Sequence, residues 1–224
     1  SASPVIGSDL PSMLACGHPI SVAPVEPSFG FSLPAGSPEP VFHSSSLPGG
    51  AVLISTGQEA VVRSATDFGV LARVAVPGGD IRSAVVGGWA LVQGQQIGLA
   101  LLDVSSPANP RVHSWWLDAS EQPWLSLVGA SQGLFALRTQ RGLSFVEIGE
   151  AGPREVFCFE RPESVSWGDI KLNGNVLGIT ERPLGPSTTE VPRLYHVNES
   201  GVSAWTSLPF EGVFSFISTG GRMA

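Results

Sequence analysis

The sequence predicts an all-β chain, a β-propeller or a large piece of one, and three observations carry that expectation. A glycine-bearing tight turn recurs between apolar runs, at Leu47-Pro48-Gly49-Gly50, Val86-Gly87-Gly88, Ser131-Gln132-Gly133, Asn173-Gly174 and Thr219-Gly220-Gly221. The last glycines of these turns are separated by 38, 45, 41 and 47 residues, close to the length of one four-stranded blade. Hydrophobic residues make up 42% of the chain and charged residues only 14%, and helical periodicity is absent. Such a chain is not disordered, and it needs many strands covered on both faces.

Each element follows from the turn. Glycine suits a short hairpin turn because positive φ costs it nothing. After the first four turns comes an apolar run, at Ala51–Ser55, Trp89–Gln93, Leu134–Arg138 and Val176–Thr180. A second run follows at Leu99–Val104 and Leu143–Ile148, and a third at Val70–Val76, Arg111–Leu117, Arg154–Phe159 and Val202–Leu208. With the segment before each turn, every unit supplies four strands. The repeats span approximately 3–39, 40–79, 80–122, 123–164 and 165–212, about five blades, with a partial unit at 213–224. The first copy rests on aligning Met13–Ile20 with Ala90–Ile97, so that Pro-rich Ala23–Pro40 would carry its outer strands. Two readings of the end stay open. Val213–Ile217 closes a five-bladed ring on the first blade, or the chain is part of a larger propeller completed by a missing portion or a second chain.

Composition excludes several functions. No apolar run approaches the ~18 residues of a membrane span. A net charge of −7, with Lys171 the only lysine and the arginines dispersed, argues against nucleic acid. The first residues lack the charged n-region and apolar h-region of a signal peptide, so any leader is expected to be already gone or never to have existed. Met13-Leu14-Ala15-Cys16 has the look of a lipid-anchor site, but Pro4, Asp9 and Pro11 interrupt the apolar stretch it would need. The bias to Arg, Ala, Gly, Pro and Val is that of a GC-rich genome.

Gly98-Leu99-Ala100-Leu101-Leu102-Asp103-Val104-Ser105-Ser106-Pro107-Ala108-Asn109-Pro110 resembles the LVIVD repeat of bacterial propeller proteins. In it Asp103 and Ser105 can accept turn amides, while Pro107 and Pro110 fix φ. Gly142-Leu143-Ser144-Phe145-Val146-Glu147-Ile148 keeps the pattern with Glu for Asp, and the remaining copies depart from it. The resemblance implies a propeller, often extracytoplasmic (secreted, periplasmic or at the cell surface), and no defined active site. Paired WD signatures are missing, and the double glycines resemble kelch repeats only superficially.

The most regular polar signal precedes the strand ahead of each glycine turn, where Glu39, Asp80, Glu121, Glu163 and Glu211 recur at intervals of 41, 41, 42 and 48. Aromatics follow at Phe42, Trp124, Trp167 and Phe214. In a propeller these acids would lie around one mouth of the central channel and attract a cationic ligand or a basic partner surface. The plainer reading is that each acid caps amides of its own loop. On the same face Glu181–Glu190, which opens with Glu181 and Arg182, is a long polar loop, either the place where a repeat protein often puts specificity or a tolerated insertion without a role.

A binding scaffold without enzymatic chemistry is therefore expected, with a protein partner or the rest of a propeller as its complement. A glycoside-active enzyme is the alternative, drafting Asp80, Glu163 and Asp169 across the funnel, and a structural spacer is the third reading. His18, His43, His113 and His196 are not paired at metal-ligand spacing, and neither metal nor cofactor is expected. Cys16 and Cys158 fall in non-adjacent blades in this register and are expected to be free and buried. Asn198-Glu199-Ser200 fits a glycosylation acceptor by chance-level matching. Trp89, Trp115, Trp116 and Trp205 are read as packing between blades.

Overall fold

A computed structural model describes residues 12–24, 43–55, 59–75, 80–94, 98–118, 125–185, 189–207, 218–219 and 222–223. Among them the regular elements are all β-strands. In chain order these are β1 (Ser12–Ala15), β2 (His18–Pro24), β3 (His43–Leu47), β4 (Ala51–Ser55), β5 (Glu59–Ser64), β6 (Val70–Ala75), β7 (Asp80–Val86), β8 (Trp89–Gly94), β9 (Leu99–Asp103), β10 (Arg111–Asp118), β11 (Ser126–Ser131), β12 (Leu134–Arg138), β13 (Gly142–Gly149), β14 (Gly152–Glu160), β15 (Val165–Asn173), β16 (Val176–Pro183), β17 (Val191–Asn198) and β18 (Gly201–Ser207), followed by a short hairpin of β19 (Ser218–Thr219) and β20 (Arg222–Met223). The strands β3–β6, β7–β10, β11–β14 and β15–β18 each form an antiparallel sheet in sequence order. Such four-stranded meanders following one another along a chain are the blades of a β-propeller fold.

The chain packs as two compact units, Ser1–Leu14 with Pro19–Leu125, and Ala15–His18 with Ser126–Ala224. In the first unit Leu53, Val62, Val92, Leu102 and Trp115 form one core between the sheets β3–β6 and β7–β10. In the second, Phe145, Leu143, Trp167, Leu177, Ile179 and Tyr195 do the same for β11–β14 and β15–β18, with Phe157 stacked on Phe145 at 4.5 Å. Burial is continuous along Leu99–Leu102, Leu134–Leu137 and Val176–Glu181. These are second and third strands of their sheets, covered on both faces, which is why their sequences do not alternate.

The N-terminal segment differs from the expected first blade. Its strands β1 and β2 extend the sheet of β7–β10, in the order β1-β2-β10-β9-β8-β7, and β2 runs antiparallel to β10 from Ser114↔Pro24 to Asp118↔Ile20. Aligning Met13–Ile20 with Ala90–Ile97 sets Gly17 against Gly94, at the end of a strand. Cys16 and Gly17 instead make a two-residue hairpin turn with φ of 50° and 70°, like Gln132-Gly133 with 52° and 75°. The outer strands expected in Ala23–Pro40 fall mainly outside the described residues, where only 23–24 are seen, as the end of β2.

That shift of phase also corrects the cysteines. Cys16 and Cys158 are not free but form a disulfide, with Cα atoms 5.2 Å apart. The Cys16 amide donates to the Glu155 carboxylate, which also accepts from the Ser144 hydroxyl.

Every pairing of a third with a fourth strand carries one extra residue in the fourth, at Leu71, His113, Val156 and Trp205. A bulge re-aims the side chain it carries. Trp205, expected between blades, is accordingly 53% exposed. Trp116 is wholly buried and donates its indole N–H to Ser114 Oγ at 3.1 Å, while Trp115 belongs to the first unit's core.

In the turn after β9, Asp103 accepts a turn amide as expected, whereas Ser105 acts as a donor to it. Asp103 Oδ1 accepts the Ser105 amide at 3.0 Å and the Ser105 hydroxyl at 2.6 Å. The Ser105 hydroxyl first, and then its amide, hold the Asp103 carboxyl below the usual range. Asn198 Oδ1 accepts from the Ser200 amide and hydroxyl at 3.0 and 2.9 Å in the corresponding turn of the last sheet. The Asn198-Glu199-Ser200 triplet is thus a local turn.

Candidate functional site

The candidate site lies within the second unit, at the end where β11 and β15 begin and β12 and β16 finish. Its scaffold starts with the Thr139–Gly142 turn. The Thr139 amide donates to Gly142 O at 2.8 Å, and Thr139 Oγ1 accepts the amides of Arg141 and Gly142 at 3.3 and 3.2 Å. Gly142 is required by space, because a Cβ there would lie 2.3 Å from Phe159 O. The Arg161 amide donates to Arg141 O at 2.8 Å, tying the β12–β13 turn to the connection from β14 to β15.

Two arginines then cover the start of β15. Arg138 donates to Trp167 O at 2.6 Å and to Gly168 O at 3.1 Å. Arg161 donates to Val165 O, and at 3.4 Å to Gln140 O. Burial and the neighbouring Arg161 cation hold the Arg138 guanidinium below its ordinary value, with Asp169 opposing them.

At the neighbouring β16–β17 hairpin, Glu181 is 7% exposed. It accepts from Arg193 Nε at 2.6 Å and from the Tyr195 hydroxyl at 2.8 Å. Burial first, and then the bond and charge of Glu181, push the Tyr195 phenol far above its usual range, so it stays protonated. Arg182 pairs with Glu190 across the neck of the loop, and beyond it Leu184 is 62% exposed.

The structure treats the expected site residues unequally. Glu163 is exposed in the turn before β15, and Arg182 is exposed at the loop neck. Trp167 and Glu181 come together as a cross-strand pair, yet both are buried. Trp167 is 5% exposed, stacks on Phe159 at 5.5 Å and has no hydrogen-bond partner for its indole N–H among the described residues. Asp80 opens β7, opposite Gly94. Glu39, Glu121, Trp124 and Glu211 lie outside the described residues, as do Phe42 and Phe214. Asp169, drafted for the glycoside alternative, is exposed in a bulge of β15. Among the described residues no cluster of three or more His, Cys, Asp or Glu could hold a metal ion, and no helix is long and apolar enough to cross a membrane. Sequence reasoning missed Arg138, Arg161 and Arg193, whose positions do not recur from blade to blade.

No family model and no curated protein matches the chain. Among solved structures it is similar to the N-terminal domain of Nup159, with 12% identity and a TM-score of 0.48 over 81% of this chain and 54% of that one. It is also similar to Kuenenia stuttgartiensis hydrazine synthase, with 15% identity and a TM-score of 0.39 over 79% of this chain and 69% of that one. The chain spans about half the length of the first of these.

Proposed function

We propose that the chain is a non-enzymatic β-propeller scaffold that binds a protein partner through the loop between β16 and β17. The observation that carries this reading is the contrast between the loop and its base. The base is locked by the Glu181–Arg193–Tyr195 network, in which Glu181 and Tyr195 are buried, and by the Arg182–Glu190 pair, while Leu184 stands exposed just above it. A large apolar side chain on a rigid support loses little conformational entropy on binding, as a contact anchor should. The carboxylates here that could serve an acid–base reaction, Glu181 and Glu190, are both held in ion pairs. The setting we propose is extracytoplasmic, in keeping with the disulfide, since such bonds persist in oxidising compartments.

The test is to isolate the partner from the native source, identify it by mass and measure its affinity in purified form. Leu184→Asp should weaken binding at least ~10-fold, as losing a buried leucine anchor would. Leu71→Asp, in the first unit, should leave it unchanged. Unaltered affinity after replacing residues 184–190 would refute the loop assignment. Turnover on a panel of glycosides would refute the non-enzymatic reading.

A further inference from the structure

Within the second unit Arg154, Arg182 and Arg193 each face a carboxylate, that of Glu147, Glu190 and Glu181. Arg138 and Arg161 face none at ion-pair distance among the described residues, although the chain is acidic overall. Asp169 acts on Arg138 only at longer range, and Glu163, two residues beyond Arg161, is exposed and pairs with neither. Both guanidiniums are half-buried and anchored to backbone carbonyls, so they are held in place and not free to splay apart.

The anchors place them side by side. Val165 O and Trp167 O, two residues apart on one strand, are separated by roughly 7 Å, and each holds one of the two guanidiniums. The cations are near enough for Arg161 to act on Arg138, so a single oxyanion could accept charge-assisted hydrogen bonds from both. A guanidinium has five N–H donors. Arg138 spends two on Trp167 and Gly168, and Arg161 spends two on Val165 and Gln140, so donors remain on both. Two like charges brought together at partial burial without a counter-charge destabilise the fold, and a bound anion would remove that cost.

We propose that Arg138 and Arg161 form a binding site for an oxyanion of the phosphate, sulfate or carboxylate type. The anion is either a free small ion or a carboxylate carried by a partner polypeptide. This site stands apart from the loop reading above, because it uses neither Leu184 nor the β16–β17 loop.

The test uses the full, disulfide-intact chain and reads the thermal midpoint and calorimetric binding at fixed ionic strength. The probes are inorganic phosphate, sulfate and a capped hexaglutamate peptide, with chloride as reference. Phosphate, sulfate or the peptide should raise the midpoint above that in chloride. Arg161→Gln should weaken binding at least ~10-fold, the loss expected from one charge-assisted bond. Arg161→Lys should retain part of it, and Arg154→Gln all of it. Tighter binding of the peptide than of phosphate assigns the site to a partner carboxylate, and the reverse order to a free anion. Equal midpoints of the wild-type chain in all probes and in chloride would overturn the proposal, as would full binding by a folded Arg161→Gln chain.

Discussion

Breaking the bond between Cys16 and Cys158 should cost the chain a large share of its stability. The two residues are separated by 142 positions. In the chain-entropy description, releasing a loop of that length returns about 17 cal/mol/K to the unfolded state, or about 5 kcal/mol at 25 °C. Measured effects usually fall below that limit, so a loss of about 3–5 kcal/mol is expected. Whole domains are stable by only about 5–15 kcal/mol. With an m-value of about 2 kcal/mol/M, the urea midpoint should fall by roughly 1.5–2.5 M.

The assay compares the oxidised chain, the reduced chain and Cys16→Ser, Cys158→Ser and the double variant. A cross-link is all or nothing, so either single variant should be destabilised about as much as the double one. Non-reducing digestion with trypsin should yield the peptide 1–63, which has no internal Lys or Arg, joined to the peptide carrying Cys158. Two thiols open to alkylation in the native, unreduced chain would refute the pairing. Coincident urea curves with and without reductant would refute the energetic argument.

Two further predictions follow from the second unit. Tyr195 is the single tyrosine of the chain, so tyrosinate absorbance reports on it alone. With its folded pKa raised, its contribution to stability is fully present below the unfolded value of about 10 and is lost as pH rises above that. Tyrosinate should therefore appear only together with alkaline unfolding, and titration near 10 in a folded chain would count against the Glu181 bond. Gly142→Ala would force a Cβ onto Phe159 O and should cost at least about 2–3 kcal/mol by separating β13 from β14. A wild-type urea midpoint for that variant would show that the close approach is not there.

The sheets were legible because their signals are local. A two-residue turn such as Gln132-Gly133 needs positive φ, and a strand covered on both faces, such as Leu99–Asp103, reads as an unbroken apolar run. Pairings that depend on register across a long connection were not legible. Glu181 looks like the first residue of a polar loop, since Arg182 and Pro183 follow it. Only the hairpin register sets it diagonally from Arg193, whose Cα partner is Ile179, and within reach of Tyr195. The cysteines failed for a related reason. Placing Met13–Ile20 one strand out of phase moves Cys16 from a hairpin tip into a strand end, and no local feature of Met-Leu-Ala-Cys-Gly signals which is right.

Periodic and non-periodic side chains carry different information in a repeat protein. A repeat makes periodic residues conspicuous, and Glu39, Asp80, Glu121, Glu163 and Glu211 recur in this way, although Glu39, Glu121 and Glu211 lie outside the described residues. Some of what recurs is what every blade must do, as the bulges at Leu71, His113, Val156 and Trp205 show. A ligand meets particular blades and not the average one. The residues that fit that requirement are those the period does not predict. Arg138 closes the second strand of one sheet, where the equivalent strand of the sheet before it ends in Gln93 and Gly94. Arg161 stands in the connection to the next sheet. Their charges have no carboxylate at ion-pair distance among the described residues, whereas Arg154, Arg182 and Arg193 are each matched. Two half-buried cations that meet no carboxylate at ion-pair distance among the described residues are the ground on which the proposed oxyanion site rests.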